Sequence, residues 1–257
     1  MTTTSMCRRS CGTDHPSHKA GAVTVRIRRV TTTRAGGASL PPFDTFNLGD
    51  HVGDDPAAVA ANRNRLAAAI GLPSERVVWM NQVHSDHVEF VDGPRTDAFD
   101  ATDALVTTIP RLALAVVTAD CVPVLMSDSD SGVIGAAHAG RVGAANGVVL
   151  RTLEAMLAAG ARAANISVLL GPAVSGPNYE VPDEMAEDVE ARLPGSRTTT
   201  SAGMPALNLR AGIARQLFDA GVTAIDIDPR CTVADPTLFS HRRDAPTGRL
   251  ASLLWMT

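Results

Sequence analysis

Between Val77 and Ala137 the chain carries a block of short apolar runs: Val77–Met80, Val88–Val91, Ala104–Val106, Leu112–Val117, Val122–Met126 and Val133–Ala137, separated by Gly, Pro, Asp or Ser. Runs this short do not complete a core helix, and their length and punctuation predict buried strands. A chain with such a block has to build a sheet, and the flanking segments decide its class. Upstream, Val23, Val25 and Ile27 alternate with polar residues as in a strand, and a loop follows around Gly36, Gly37, Pro41 and Pro42. A helix is marked next: Asp55 as its cap, Pro56 at the first helical position, apolar residues recurring to Ile70, and Gly71 with Pro73 to end it. Downstream, Ala144–Ala159, Asp183–Leu193 and Asn208–Ala220 read as helices, the first ended by Gly160 and the last by Gly221, while Ile166–Leu170 and Arg249–Trp255 read as strands.

This alternation predicts an α/β (α+β) fold, a single domain with a mixed β-sheet core flanked by helices and the strand order left open. The 257 residues sit at the upper edge of one domain, and neither a repeat nor a compositional break marks a second. Residues 1–21 are rich in Thr, Ser, His and Arg without a hydrophobic period, so a disordered tail is expected there and a catalytic domain over 22–257. Cys7, Cys11, His15 and His18 in that tail are spaced too tightly for a zinc finger.

A net charge of -4 offers no field for a phosphate backbone, which argues against a nucleic-acid partner. The longest apolar run, Leu112 to Met126, is interrupted by Asp120 and is shorter than the roughly 20 residues that span a bilayer, so no membrane partner is expected. The polar start lacks the apolar segment of a secretory signal, and the 4 scattered cysteines form no disulfide framework. A cytoplasmic location with reduced thiols is the expectation.

Three residues stand where apolar runs give way to polar turns. Cys121 ends Ala119-Asp120-Cys121, His138 opens His138-Ala139-Gly140, and His84 follows Gln82-Val83. Each alone reads most simply as a buried cysteine or a satisfied histidine. Together they offer one thiolate and two imidazoles, which suit Zn²⁺ with a fourth tetrahedral position open to water or substrate. The same residues admit a different chemistry, with Cys121 as nucleophile and His138 as base in a cysteine-nucleophile hydrolase. A non-catalytic binding module is the third reading.

Longer motifs narrow the choice. Thr32-Thr33-Arg34-Ala35-Gly36-Gly37, Asn47-Leu48-Gly49, Val52-Gly53-Asp54-Asp55, Gln82-Val83-His84, Asp120-Cys121-Val122-Pro123, Ala137-His138-Ala139-Gly140, Gly171-Pro172, Tyr179-Glu180-Val181, Ser240-His241-Arg242-Arg243-Asp244 and Thr247-Gly248-Arg249 occur in one order over about residues 28 to 256. In this the chain resembles the YfiH-like family, also labelled multi-copper polyphenol oxidoreductase or laccase domain. The resemblance implies a zinc-dependent enzyme acting on purine nucleosides and phosphate: phosphorolysis of adenosine, inosine and S-methyl-5'-thioadenosine, and hydrolytic deamination of adenosine. It implies His84, Cys121 and His138 as metal ligands and catalytic residues, with Arg34, Asn47 and Arg243 as substrate-binding landmarks. For deamination it implies zinc-activated water attacking C6 of adenine. A multi-copper centre needs more imidazoles than the 7 histidines of this chain supply, two of them in the tail and none paired as His-x-His. The chain departs from the family at Arg141-Val142, where Trp-Arg is usual; the guanidinium is displaced by one position, which is expected to weaken phosphate handling. Oligomeric state stays open.

Overall fold

The computed structural model describes residues 25–257; the predicted tail with its Cys7, Cys11, His15 and His18, and the start of the first predicted strand at Val23, lie outside the described residues. Two mixed sheets form the core. The first has four strands in the order β1 (Ile27–Thr31), β12 (Leu250–Met256), β5 (Ala113–Thr118), β2 (Val77–Val78). The second has six: β11 (Ala224–Ile227), β8 (Ser167–Leu170), β6 (Val122–Asp128), β7 (Val133–Ala139), β4 (Ala104–Thr107), β3 (Val88–Phe90). Parallel pairs occur at the edges, β2 with β5, β3 with β4 and β11 with β8, and the remaining neighbours are antiparallel.

Side-chain alternation along the strands sorts the core into layers. On β5, Ala113, Ala115 and Val117 pack with Leu66 and Ala67 of helix α1 (Pro56–Ile70), whereas Leu114 and Val116 face the second sheet. On β6, Leu125 closes that inter-sheet layer, and Val122, Val124 and Met126 turn to the helices α3 (Val148–Ala158), α4 (Asp183–Arg192) and α5 (Leu209–Asp219). The order is therefore helix, sheet, sheet, helices. Strands buried on both faces explain why their sequences read as continuous apolar runs. Helix α3 lies so close to β7 that a Cβ at Gly135 would stand 2.8 Å from Met156 Sδ.

Helix α1 forms as its sequence predicts: Asp55 accepts from Ala57 N, Pro56 takes the first turn, and Gly71 ends it with φ 73°. Its buried Asn62 donates to Ser39 Oγ, Thr45 O and Asn47 O and accepts from Ala38 N, which pins the Gly- and Pro-containing loop onto the first sheet. Other segments differ from expectation. The helix predicted over Ala144–Ala159 is two helices, α2 (Arg141–Asn146) and α3, because Gly147 between them takes φ 92°. The first strand runs further along the chain than the Val23–Ile27 alternation suggests, since its register with β12 pairs Ile27 with Met256 and Thr31 with Ser252. Only Val77 and Val78 of the Val77–Met80 run are strand, Met80 forming an isolated bridge to Phe99. A hairpin of β9 (Arg197–Thr199) and β10 (Pro205–Leu207), the edge strand β11 and the short helix α6 (His241–Asp244) were not readable from apolar periodicity. Among the described residues no helix is long and apolar enough to cross a membrane.

Candidate active site

His84, Cys121 and His138 converge: one ligand atom from each lies within 4.8 Å of the others. They arrive from three places at one end of the sandwich. Cys121 immediately precedes β6, in the turn where Asp120 takes φ 91°, and His138 is the penultimate residue of β7. His84, with φ 62°, sits in the loop after β2. That loop is held at both ends by side chains standing in for strand pairing. Gln82 makes two 2.8 Å hydrogen bonds to the main chain of Val117, donating from Nε2 and accepting on Oε1. Asp103, fully buried, accepts from Val83 N at 3.1 Å, His84 N at 3.0 Å, Ser85 N at 2.7 Å and Ser85 Oγ at 2.8 Å.

The same carboxylate lies 2.8 Å from His138 Nδ1. That contact directs the other ring nitrogen, Nε2, toward Cys121 and His84. Burial pushes the His138 imidazolium down, but the charges of Cys121 and Asp103 outweigh it and hold the group up at about 9. Burial, and then the neighbouring His138 charge, push His84 below its ordinary value. The two imidazoles, with ring centroids 4.7 Å apart, are thus set to opposite protonation preferences. Gly140 completes the cradle: a Cβ there would meet the His84 ring and come within 3.0 Å of Cys121 Sγ.

The cluster forms part of the wall of a cavity of about 370 Å³. Tyr179, Leu209, Thr118, His51 and His241 line it, with the three arginines Arg141, Arg242 and Arg249. Asp120, the carboxylate of this wall, is occupied by the hydroxyl of Thr232 and by Arg242 N. The wall is therefore cationic. Arg34, Asn47 and Arg243 do not belong to it. Arg34 bonds Asp44 and lies over the Phe239 ring, and Asn47 is buried between Gly49, Asp54 and Arg249 N. Arg243 donates to the carbonyls of Thr232, Val233, Asp235 and Leu238 and pairs with Asp244. At the departure noted in the sequence, Arg141 faces the cavity and Val142 is 40% exposed. Arg141 therefore stands in the cavity lining beside the ligand cluster.

The family model described as multi-copper polyphenol oxidoreductase laccase matches residues 28–257. The chain belongs to that family. It is 75% identical over 236 residues to a purine nucleoside phosphorylase of Mycobacterium tuberculosis, covering 92% of this chain and 94% of the relative. A purine nucleoside phosphorylase of Corynebacterium glutamicum is 57% identical over 232 residues, covering 90% and 94%. Among solved structures, the hypothetical protein YfiH of Bacillus licheniformis superposes with TM-score 0.85 at 33% identity, covering 90% of this chain and 93% of that one. YlmD of Geobacillus stearothermophilus gives 0.81 at 34%, covering 90% and 92%. The family's copper label meets a single group of three close His, Cys or acidic side chains among the described residues of this member, His84, Cys121 and His138.

Asp103 is the site residue that sequence reading missed. It looks like an ordinary acid at a strand entrance until β4 pairs with β7 and carries it beneath His138. Asp103→Asn replaces an acceptor with an amide donor facing N–H groups, so metal affinity is expected to fall about 10–100-fold. Competition against a chelator of known affinity checks this; unchanged affinity would show that the loop holds His84 and His138 without the carboxylate.

Proposed function

We propose that this protein is a zinc-dependent purine nucleoside phosphorylase that also deaminates adenosine and accepts S-methyl-5'-thioadenosine. The observation that carries the reading is the His84, Cys121 and His138 cluster opening into a cationic cavity. The relatives named purine nucleoside phosphorylase support the substrate class. The donor set fits the metal: one thiolate and two imidazoles, an open fourth side toward the cavity, and a carboxylate fixing the tautomer of His138. Ligand atoms within 4.8 Å need to draw together only slightly for zinc, whose ligands stand about 2.0–2.3 Å from the ion. Zinc bound there supplies Lewis acidity at the reacting centre.

The chain's own groups do the rest. In phosphorolysis the bond from C1′ to the purine nitrogen breaks, a C1′–oxygen bond to phosphate forms, and the base leaves with the electron pair and takes up a proton. The guanidinium groups of the wall neutralise the phosphate, and Tyr179 gives the purine a face to stack on. In deamination an oxygen from water replaces the C6 amino group, which leaves as ammonia.

A second reading rests on its own observation. Asp103, His138 and Cys121 follow the order of carboxylate, base and nucleophile, and the charge of Cys121 is among the causes that hold His138 near 9. Incubating metal-loaded protein with adenosine, inosine and S-methyl-5'-thioadenosine, with and without phosphate, separates the two. Expected are free base and pentose 1-phosphate only with phosphate, inosine from adenosine without it, and loss of both on chelation. Turnover that survives metal removal favours the thiol reading, and binding without product the non-catalytic one.

A further inference from the structure

The three cavity arginines are not equivalent. Arg242 is exposed, donates to the Glu180 carbonyl at 3.1 Å and lies over the Tyr179 ring. Arg249 is half-buried and fixed. Its stem fills the space above Gly49, where a Cβ would stand 2.6 Å from Arg249 Cγ. Its Nη1 donates to the carbonyls of Thr247 at 2.9 Å and Gly248 at 3.1 Å. Among the described residues its Nε and Nη2 have no protein partner, and no carboxylate pairs with it. Leu250, the next residue, is opposite Thr118 in the β12–β5 register. Thr118 also lines the cavity, is 2% exposed, and its hydroxyl has no hydrogen-bond partner.

Desolvated donors without acceptors are costly, and the cost is relieved when a ligand supplies the acceptors. A guanidinium held by one Nη, with Nε and the other Nη free, presents a fork that matches two oxygens of a tetrahedral anion. The unpartnered Thr118 hydroxyl is a further polar group that the same cavity wall offers. We propose that Arg249 and Thr118 form the subsite for inorganic phosphate, beside the His84, Cys121 and His138 cluster, with the nucleoside between that subsite and Tyr179. This rests on the phosphorolysis reading. It assigns the anion to residues on the β5 and β12 ends and not to Arg34 or Arg243, whose guanidinium groups are engaged elsewhere.

Steady-state kinetics on metal-loaded Arg249→Met and Thr118→Val test the assignment, together with calorimetric titration of inorganic phosphate into each protein without nucleoside. Loss of the charged fork is expected to raise the KM for phosphate roughly 10–100-fold, with the KM for inosine within about twofold of the parent. Thr118→Val, which keeps the shape of a buried strand residue, is expected to raise the phosphate KM several-fold in the same direction. An unchanged phosphate KM in both variants overturns the proposal, as does a rise confined to the inosine KM, which would place the sugar on Arg249. Should the parent protein release no base with phosphate, the phosphorolysis reading fails instead, and the calorimetric titration still reports whether Arg249 and Thr118 bind the anion.

Discussion

On the proposed zinc-enzyme reading, purified Cys121→Ala protein is expected to contain no metal and to have lost the proposed phosphorolysis and deamination together, each by about a thousandfold or more. The size follows from what such an ion would contribute: Lewis-acid stabilisation worth several kcal/mol, at about 1.4 kcal/mol for each factor of ten in rate. Two imidazoles alone bind zinc far less tightly than a thiolate with two imidazoles, because the thiolate brings the charge that the ion needs. The substitution is gentle on the fold. Cys121 is half-buried in a turn, and alanine is smaller, so no neighbour is displaced. Metal content by elemental analysis, set beside turnover and a thermal melt on the same preparation, decides the role of the sulfur. A folded variant that keeps stoichiometric zinc but does not turn over would transfer Cys121 from ligand to nucleophile.

The legibility of this fold in its sequence follows burial. Strands β4 to β7 are buried on both faces, so each announces itself as an apolar run whatever its partners. Strands β9, β10 and β11 do not. Arg197–Thr199 is polar and exists because Pro205–Leu207 pairs with it, and Ala224–Ile227 is a largely exposed edge held by β8. The site divides in the same way. Cysteine and histidine at the ends of apolar runs carry their chemistry in their names, so His84, Cys121 and His138 could be singled out before any coordinates. Asp103 and Thr118 could not, and Arg249 stood out only as part of the Thr247-Gly248-Arg249 motif with no role attached, because an acid, a hydroxyl and an arginine become informative only when their partners, or lack of them, are known. The converse holds for Arg34, Asn47 and Arg243. They belong to motifs of the resemblance, yet their polar atoms tie the loops around Asp44, Gly49 and Thr232 into place.

Gly140→Ala is expected to lower metal affinity at least about a hundredfold while leaving the melting temperature of the metal-free protein within a few degrees of the parent. Gly140 takes φ -73° and ψ 170°, a conformation open to any residue, so the added methyl brings no backbone strain. What it meets is the site itself: the His84 ring lies in hard contact with the new Cβ, and Cys121 Sγ is 3.0 Å away. The main chain of Gly140 is not free to retreat, because its carbonyl accepts from Ala144 N at 2.8 Å to start α2 and it follows the end of β7 directly. His84 is the member that gives way. It is exposed, and its loop hangs on Asp103 through main-chain N–H groups, so its ring swings into solvent at little cost to the fold. Misplacing one of three ligands by an ångström or more removes it from the range of about 2 Å in which a zinc–nitrogen bond forms. Chelator competition and thermal melting on the same protein read the two effects separately. A variant that keeps parental metal affinity would show that the ion does not require His84 in the position seen here.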